Sequence, residues 1–447
     1  MSVVFAEKGL LLSHPGIRRR IDVRLEVSMN IACIVGQFPL LSETFVLNQI
    51  TGLLDRGHDV TIWARSPGNQ PVTHADVERY NLLDRTFYYG GSCQVMPTNI
   101  PLRFVRAMGP VARNCCSKAM PMLRSLNVLR FGKQAVSLRI FYKTLPFLER
   151  GMSGYDIVHC HFGPNGNLGA LLKEIGVIEG RLVTTFYGKD LSKDLEKRGN
   201  SIYDSLFKVG DVLVPISERM KSQLIDLGCE DHKIVVHRLG VDMSRFPFRP
   251  RKLRGNGKVN LLTVARLAEK KGVQYSIRAV AKALIGRPQI EYKIAGDGPL
   301  RSELISLIGS LGVTDRVKLL GWKQQKEIAE LMKEADILLA PSVTSKDGDQ
   351  EGTPTVVIEA LAQGLPVLST WHSGIPELVQ DGESGFLVPE RDVDALAEKL
   401  EFLIRHHELW PEIGRAGRDF IERHHDIDRL NDQLVELYQR LLDGQLP

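Results

Sequence analysis

The chain has 447 residues, 43% hydrophobic and 25% charged, the composition of a globular protein and not of a disordered or fibrous one. That length exceeds one ordinary core and implies two or three domains, and no apolar run approaches the roughly 18–20 residues that span a bilayer. The net charge of +5 hides a concentration, because residues 101–150 hold ten Lys and Arg against one acid, Glu149.

In chain order, residues 1–28 carry the cluster Arg18-Arg19-Arg20 without periodicity and read as a poorly ordered extension with no cleavable signal peptide. A clean strand follows at 30–35, a helix at 44–55, and a second strand at 59–64 behind the helix-ending Gly57. Strands at 157–160, 182–185 and 212–215 each precede helical sequence. Residues 246–258 (FPFRPRKLRGNGK) are rich in Pro, Gly and cations and read as a linker. The alternation then restarts, with strands at 259–265, 291–295, 317–320, 337–340 and 366–369, and closes on an amphipathic helix at 430–442. Strands alternating with helices build parallel sheets covered on both faces. The expected organisation is an α/β protein of two doubly wound, Rossmann-like domains, 29–245 and 259–425. The tail, 426–447, is expected to pack back on the first domain. Such a pair leaves a cleft at the carboxyl ends of the strands, where open α/β sheets bind ligands.

The six cysteines (Cys33, Cys93, Cys115, Cys116, Cys160, Cys229) form no C-x-x-C pair and read as reduced thiols of a cytoplasmic protein. The vicinal pair Cys115-Cys116 has no further ligands beside it. The basic segment 101–150 interleaves its cations with Leu, Met, Phe and Val at helical spacing, which suits an anionic membrane surface; the alternative is a solvated helix face. Nucleic acid is set aside because no recognition module accompanies the charge.

The richest chemistry lies between residues 340 and 389. The strand at 337–340 runs into a polar loop and then a helix at 356–363, with Thr353 suited to the N-cap and Pro354 to the first turn. Free amides and the dipole at that terminus suit a phosphate. Glu351 lies just outside the terminus and Glu359 about one turn inside it. A second block, T-V-A-R-L-A-E-K-K-G from Thr263 to Gly272, delivers Arg266 to a strand end and Lys271 to the next helix, where two cations can neutralise a diphosphate. Lys270 reads as a solvated neighbour.

The run E-G-T-P-T-V-V-I-E-A, followed by G-L-P-V-L-S-T, G-I-P-E-L-V and D-G-E-S-G-F-L-V-P, resembles the donor half of retaining glycosyltransferase family 4, whose fold is termed GT-B. The resemblance implies that Glu351 faces the transferred sugar and Glu359 the ribose of a nucleotide sugar. The backbone around Gly352, Thr353 and Thr355 would face sugar and phosphate, although Pro354 lacks the N–H of the glycine often found there. Arg266 and Lys271 match the family's R-x4-K-G element and would carry the diphosphate. Asp297 would position the turn at Gly296–Pro299, and Trp322 would lie near the base. On the acceptor side, His161 matches a sugar-lining histidine; T-T-F-Y-G-K-D places Tyr187 where a histidine is usual, with Asp190 after it. The segment containing Ser42, Glu43 and Thr44 resembles the S-E-T-F variant of exopolysaccharide transferases, including those of colanic-acid type.

What this implies is a metal-independent, retaining hexosyltransferase without a cofactor. It would work on the inner face of the membrane with a polyprenyl-diphosphate-linked acceptor. Asp347-Gly348-Asp349 imitates a D-x-D metal motif, but no metal is expected. Rival readings are weaker. A nicotinamide dehydrogenase should show G-x-G-x-x-G after its first strand, and neither domain does. A glycoside hydrolase needs carboxyls about 5–10 Å apart, whereas eight helical residues span about 12 Å. A sugar-nucleotide epimerase of the same architecture and a non-catalytic sugar-binding protein remain the alternatives.

Overall fold

The computed structural model describes residues 28–41, 43–68, 74–90, 96–114, 119–151, 154–284 and 289–445. Most of the basic segment is covered, but the 1–27 part of the extension, Ser42, Cys93, Cys115 and Cys116 lie outside the described residues.

Twelve strands form two parallel six-stranded sheets. The first contains β1 (Asn30–Phe38), β2 (Asp59–Pro67), β3 (Thr86–Tyr88), β4 (Ile157–His161), β5 (Arg181–Phe186) and β6 (Val212–Pro215), in the order β3-β2-β1-β4-β5-β6. The second contains β7 (Val259–Val264), β8 (Ile290–Ala295), β9 (Val317–Gly321), β10 (Ile337–Ala340), β11 (Val367–Thr370) and β12 (Gly385–Val388), in the order β12-β11-β10-β7-β8-β9. Read from the opposite edge, the second order repeats the first. Both are the doubly wound 3-2-1-4-5-6 arrangement, whose switch points fall between β1 and β4 and between β7 and β10. The central strands are buried on both faces, so β1 and β10 read as continuous apolar runs without alternation. Two strands, β3 and β12, have no counterpart among the expected elements.

The last helix, Ile427–Leu442, returns to the first domain. Leu434, Leu437, Tyr438 and Leu441 join the core under β1 and the helix Thr44–Asp55. The Tyr438 hydroxyl also reaches Nδ1 of His159, 2.6 Å away on β4. The segment 246–258 has no regular structure, yet it is not a free tether. Phe246 is buried, and the buried Arg251 guanidinium donates to the carbonyl of Lys333 at 2.8 Å. The polar composition concealed two anchors.

Candidate active site

The second domain places its charged groups at the β7/β10 switch point. Arg266 leaves the end of β7 exposed, with no acidic partner among the described residues. The chain then turns through Glu269–Lys271 to Gly272, whose φ is +62°. A Cβ at Gly272 would sit 1.8 Å from the carbonyl oxygen of Pro341, so only glycine lets these neighbouring loops close on each other. That closeness brings Lys271 onto Glu351 as an ion pair, with both side chains largely buried. Burial pushes the Glu351 carboxyl up, but Lys271 and Lys270 prevail and hold it below its usual range. Lys270 is no solvated neighbour: its ammonium meets Asp349 at 3.2 Å and donates to the Gln350 carbonyl at 3.3 Å. Asp347 pairs with Lys193 of the first domain, so each aspartate of the D-x-D imitation is held by a lysine.

Helix Thr355–Ala362 begins and ends one residue earlier than expected, although its N-cap falls one residue later. Pro354, not Thr353, is the N-cap; the Thr353 hydroxyl makes no capping bond and is buried without a partner. The first amides of a helix have no intrahelical acceptor, and at this end Pro354 and Val356 line a pocket together with Lys271. About one turn into the helix, Glu359 borders an interdomain pocket shared with Thr44 and Phe45 of the first domain and with Asp242 and Arg245. Burial pushes its carboxyl up to about 8. Asp297 is exposed and accepts only the N–H of Gly298, at 2.7 Å, which is a turn role. Trp322 stands half exposed beyond β9.

The first domain lowers one turn onto this loop. A Cβ on Gly352 would meet the Tyr187 carbonyl oxygen at 2.1 Å, and one on Gly188 would meet the Gly352 backbone at 3.0 Å. The two domains therefore approach main chain to main chain beside Glu351. Asp190, expected on the acceptor side, is turned inward. Its buried carboxylate accepts the N–H groups of Gly163, Tyr187 and Gly188 at 3.1, 3.1 and 2.8 Å, which moulds the turn and leaves nothing for a ligand. His161 is likewise without exposure. Its Nδ1 shares a 2.7 Å hydrogen bond with the Tyr187 hydroxyl and its ring stacks on His159, while burial pushes it down to about 3. It is a neutral imidazole supporting Tyr187, and the side chain nearer the cleft is Tyr187, not His161. Phe45 packs on Tyr187 at 4.4 Å between ring centroids. Glu43, beside it, is pushed up to about 7 by burial, against the pull of Lys189.

One contact had no counterpart in the sequence reading. Glu377, from the G-I-P-E-L-V block, reaches across the cleft and accepts the N–H groups of Glu218 and Arg219, each at 2.9 Å. Those amides open helix Glu218–Asp226 of the first domain, so the carboxylate also meets the positive end of its dipole. The motif was visible, but a partner 159 residues away was not.

Two facing Rossmann-like domains with cations, a helix terminus and two glutamates at the strand-end crevice define a glycosyltransferase of the GT-B class. Two family models match: Glycosyltransferase Family 4 over residues 117–245, and Glycosyl transferases group 1 over 244–420. The putative colanic acid biosynthesis glycosyltransferase WcaL of Salmonella typhimurium is 36% identical over 92% of this chain and 100% of its own. The amylovoran biosynthesis glycosyltransferase AmsK of Erwinia amylovora is 35% identical over the same shares. The chain belongs to this glycosyltransferase family. Among solved structures, Anabaena HepE in complex with UDP-glucose matches with a TM-score of 0.66 at 17% identity, covering 92% of this chain and 99% of HepE. Sucrose-phosphate synthase from Thermosynechococcus elongatus gives 0.66 at 18%, covering 93% and 100%. These two show the shared fold.

Proposed function

We propose that this glycosyltransferase moves a hexose from a nucleotide diphosphate sugar to a lipid-linked or polysaccharide-precursor acceptor in exopolysaccharide synthesis, retaining the anomeric configuration. The observation that carries the reading is the Lys271–Glu351 ion pair, with Lys271 sharing a pocket with Pro354 and Val356 at the amino end of helix Thr355–Ala362 and Arg266 just beyond the end of β7. As the glycosidic bond breaks, charge grows on the departing diphosphate, and fixed cations and amides stabilise it there without reorganising. Glu351 accepts from the sugar hydroxyls and Glu359 from the ribose. A donor phosphate oxygen takes the acceptor proton on the face the nucleotide leaves, so the step needs no protein nucleophile. The contact of Tyr187 and Gly188 with Gly352 closes the crevice and limits hydrolysis. Support for the pathway comes from the names of WcaL and AmsK, and for a uridine nucleotide from the name of the HepE complex.

The test incubates the protein with UDP-glucose, UDP-galactose, GDP-mannose and GDP-fucose, with and without a polyprenyl-diphosphate-linked saccharide. One donor is expected to raise the melting temperature and to release its nucleotide faster when acceptor is present, giving a product of unchanged anomeric configuration. No thermal shift and no release with any donor would overturn the reading, and donor isomerisation without transfer would mark an epimerase. Transfer is expected to survive EDTA; complete loss restored by manganese would remove the metal-independent mechanism.

A further inference from the structure

The carboxyl ends of β10, β11 and β12 lie side by side, and their register decides which loop residues meet. Thr370 of β11 pairs with Val388 of β12, so the residues two positions beyond each, His372 and Glu390, leave the sheet as neighbours. Nδ1 of His372 lies 2.6 Å from Oε1 of Glu390. On the other side of the ring, Nε2 is 3.1 Å from the backbone nitrogen of Glu351, whose N–H donates to it. A ring nitrogen that accepts carries no proton, so the ring is the Nδ1–H tautomer and donates to the carboxylate. The second oxygen of Glu390 accepts the N–H of Thr344 at 2.9 Å. One carboxylate–imidazole pair thus ties the loops after all three strands, and its last link is the main chain of Glu351.

We propose that His372 and Glu390 are positioning residues that hold Glu351 against the donor sugar, with neutral His372 as the working form. The proposal rests on Glu351 being the donor-sugar residue. Residues 349–354 have no regular structure, so no helix or strand ladder fixes the Glu351 backbone. Two side chains do so instead: Lys271 holds the carboxylate and His372 holds the amide. Neither tether alone sets both where the residue sits and where it points.

The tether is sensitive to protonation. A proton on Nε2 would set one N–H against another and release the Glu351 amide. The charged groups facing the ring are the Glu390 and Glu351 carboxylates, which favour the imidazolium, and Arg219, which opposes it. Burial outweighs the carboxylates and holds His372 below its usual range, so the tether is intact at neutral pH and lost as pH falls through that lowered value.

Two substitutions separate positioning from packing. His372→Gln can return an oxygen near the place of Nε2 without a titrating ring, whereas His372→Leu fills similar volume with no acceptor. With whichever of the four nucleotide sugars the panel turns over, kcat is expected to fall roughly 10–100-fold in His372→Leu and no more than about 3-fold in His372→Gln. The acid limb assigned to His372 should be missing in His372→Gln. Calorimetric affinity for UDP or GDP, as the donor dictates, should not change in either variant, because ribose and diphosphate are held elsewhere. Nitrogen-15 histidine spectra of the wild-type protein need no substrate: the resonance lost in His372→Gln should have the Nδ1–H pattern. An Nε2–H pattern overturns the proposal, as does wild-type turnover in His372→Leu while Glu351→Gln is inactive. Full activity in Glu351→Gln would instead overturn the donor reading beneath it.

Discussion

Glu359, proposed above to hold the ribose, is a buried carboxyl kept at a cost in stability. Its carboxyl titrates near 8 in the folded chain, against about 4.5 when exposed. A carboxyl raised in this way is held neutral by folding. Its contribution is intact below about pH 4.5 and is lost as pH rises towards 8, because only the unfolded chain ionises freely in that window. Glu359→Gln removes the ionisation and should stabilise the protein at pH 7 by on the order of 1–3 kcal/mol, read as a higher melting temperature. In the role proposed for Glu359, the same change replaces a carboxyl that can ionise against ribose hydroxyls with a permanently neutral amide, and should weaken nucleotide binding by roughly 10-fold. Opposite movement of the two readings is the signature; a variant less stable than wild type at pH 7 would contradict the origin given for the shift. Glu351 and Glu359 were legible in the sequence because one helix start and its flanking loop carry both. His161 and Asp190 were legible as positions, not as roles. Whether a strand-end side chain faces the cleft or the interior depends on the Tyr187–Gly188 turn, and that turn takes its shape from Asp190 itself.

At the scale of elements, the second domain grips helix Glu218–Asp226 by its amino end. Ser217 caps it by accepting the Met220 N–H, and Glu377 takes the two amides that open it. Two charge-assisted bonds at a partly exposed helix end are worth about 1–2 kcal/mol, and they exist only while the domains are together. Glu377→Ala should therefore shift the domain equilibrium towards open forms by roughly 5–30-fold and raise the donor KM. Small-angle scattering would show a larger radius of gyration, while the melting temperature of the separate cores would change little. An unchanged radius and KM would mean that the contact follows closure without favouring it. Elements with long apolar runs, such as β1 and β7, could be read directly from the sequence. The three residues of β3 are too short for any periodicity to form, and β12 is embedded in the turn-rich run D-G-E-S-G-F-L-V-P; both become strands by pairing with β2 and β11. For the same reason the His372–Glu390 pair was invisible, since strand pairing, not spacing, brings it together.

For the whole molecule, the basic segment matters more for what it exposes than for its charge. Three of its cations are already engaged: Arg103 is buried and donates to the Pro97 and Ser137 carbonyls, Arg130 pairs with Glu174, and Arg150 lies over the Phe87 ring. Arg106, Arg124, Lys133 and Arg139 remain on the surface. Around them helix Ile100–Asn114 turns Leu102, Val105 and Met108 outward, and Met108 is 68% exposed. Leu123 is 63% exposed nearby in sequence, and Leu129 has no cover at all. No helix among the described residues is long and apolar enough to cross a membrane. Apolar side chains among exposed cations are the composition of a surface suited to a headgroup layer, and we propose that it docks there, with the cations on lipid phosphates and the side chains just below. Each cation near an anionic surface adds about 1 kcal/mol, and four therefore suffice for reversible, salt-sensitive docking. The protein should sediment with vesicles containing phosphatidylglycerol and much less with phosphatidylcholine alone, and added salt should release it. Val105→Glu with Leu129→Glu should abolish sedimentation while leaving nucleotide release from a soluble donor unchanged, because neither residue borders the crevice. Equal sedimentation with both lipids, or loss of donor turnover in the double variant, would separate this surface from the acceptor membrane and return it to an ordinary helix face.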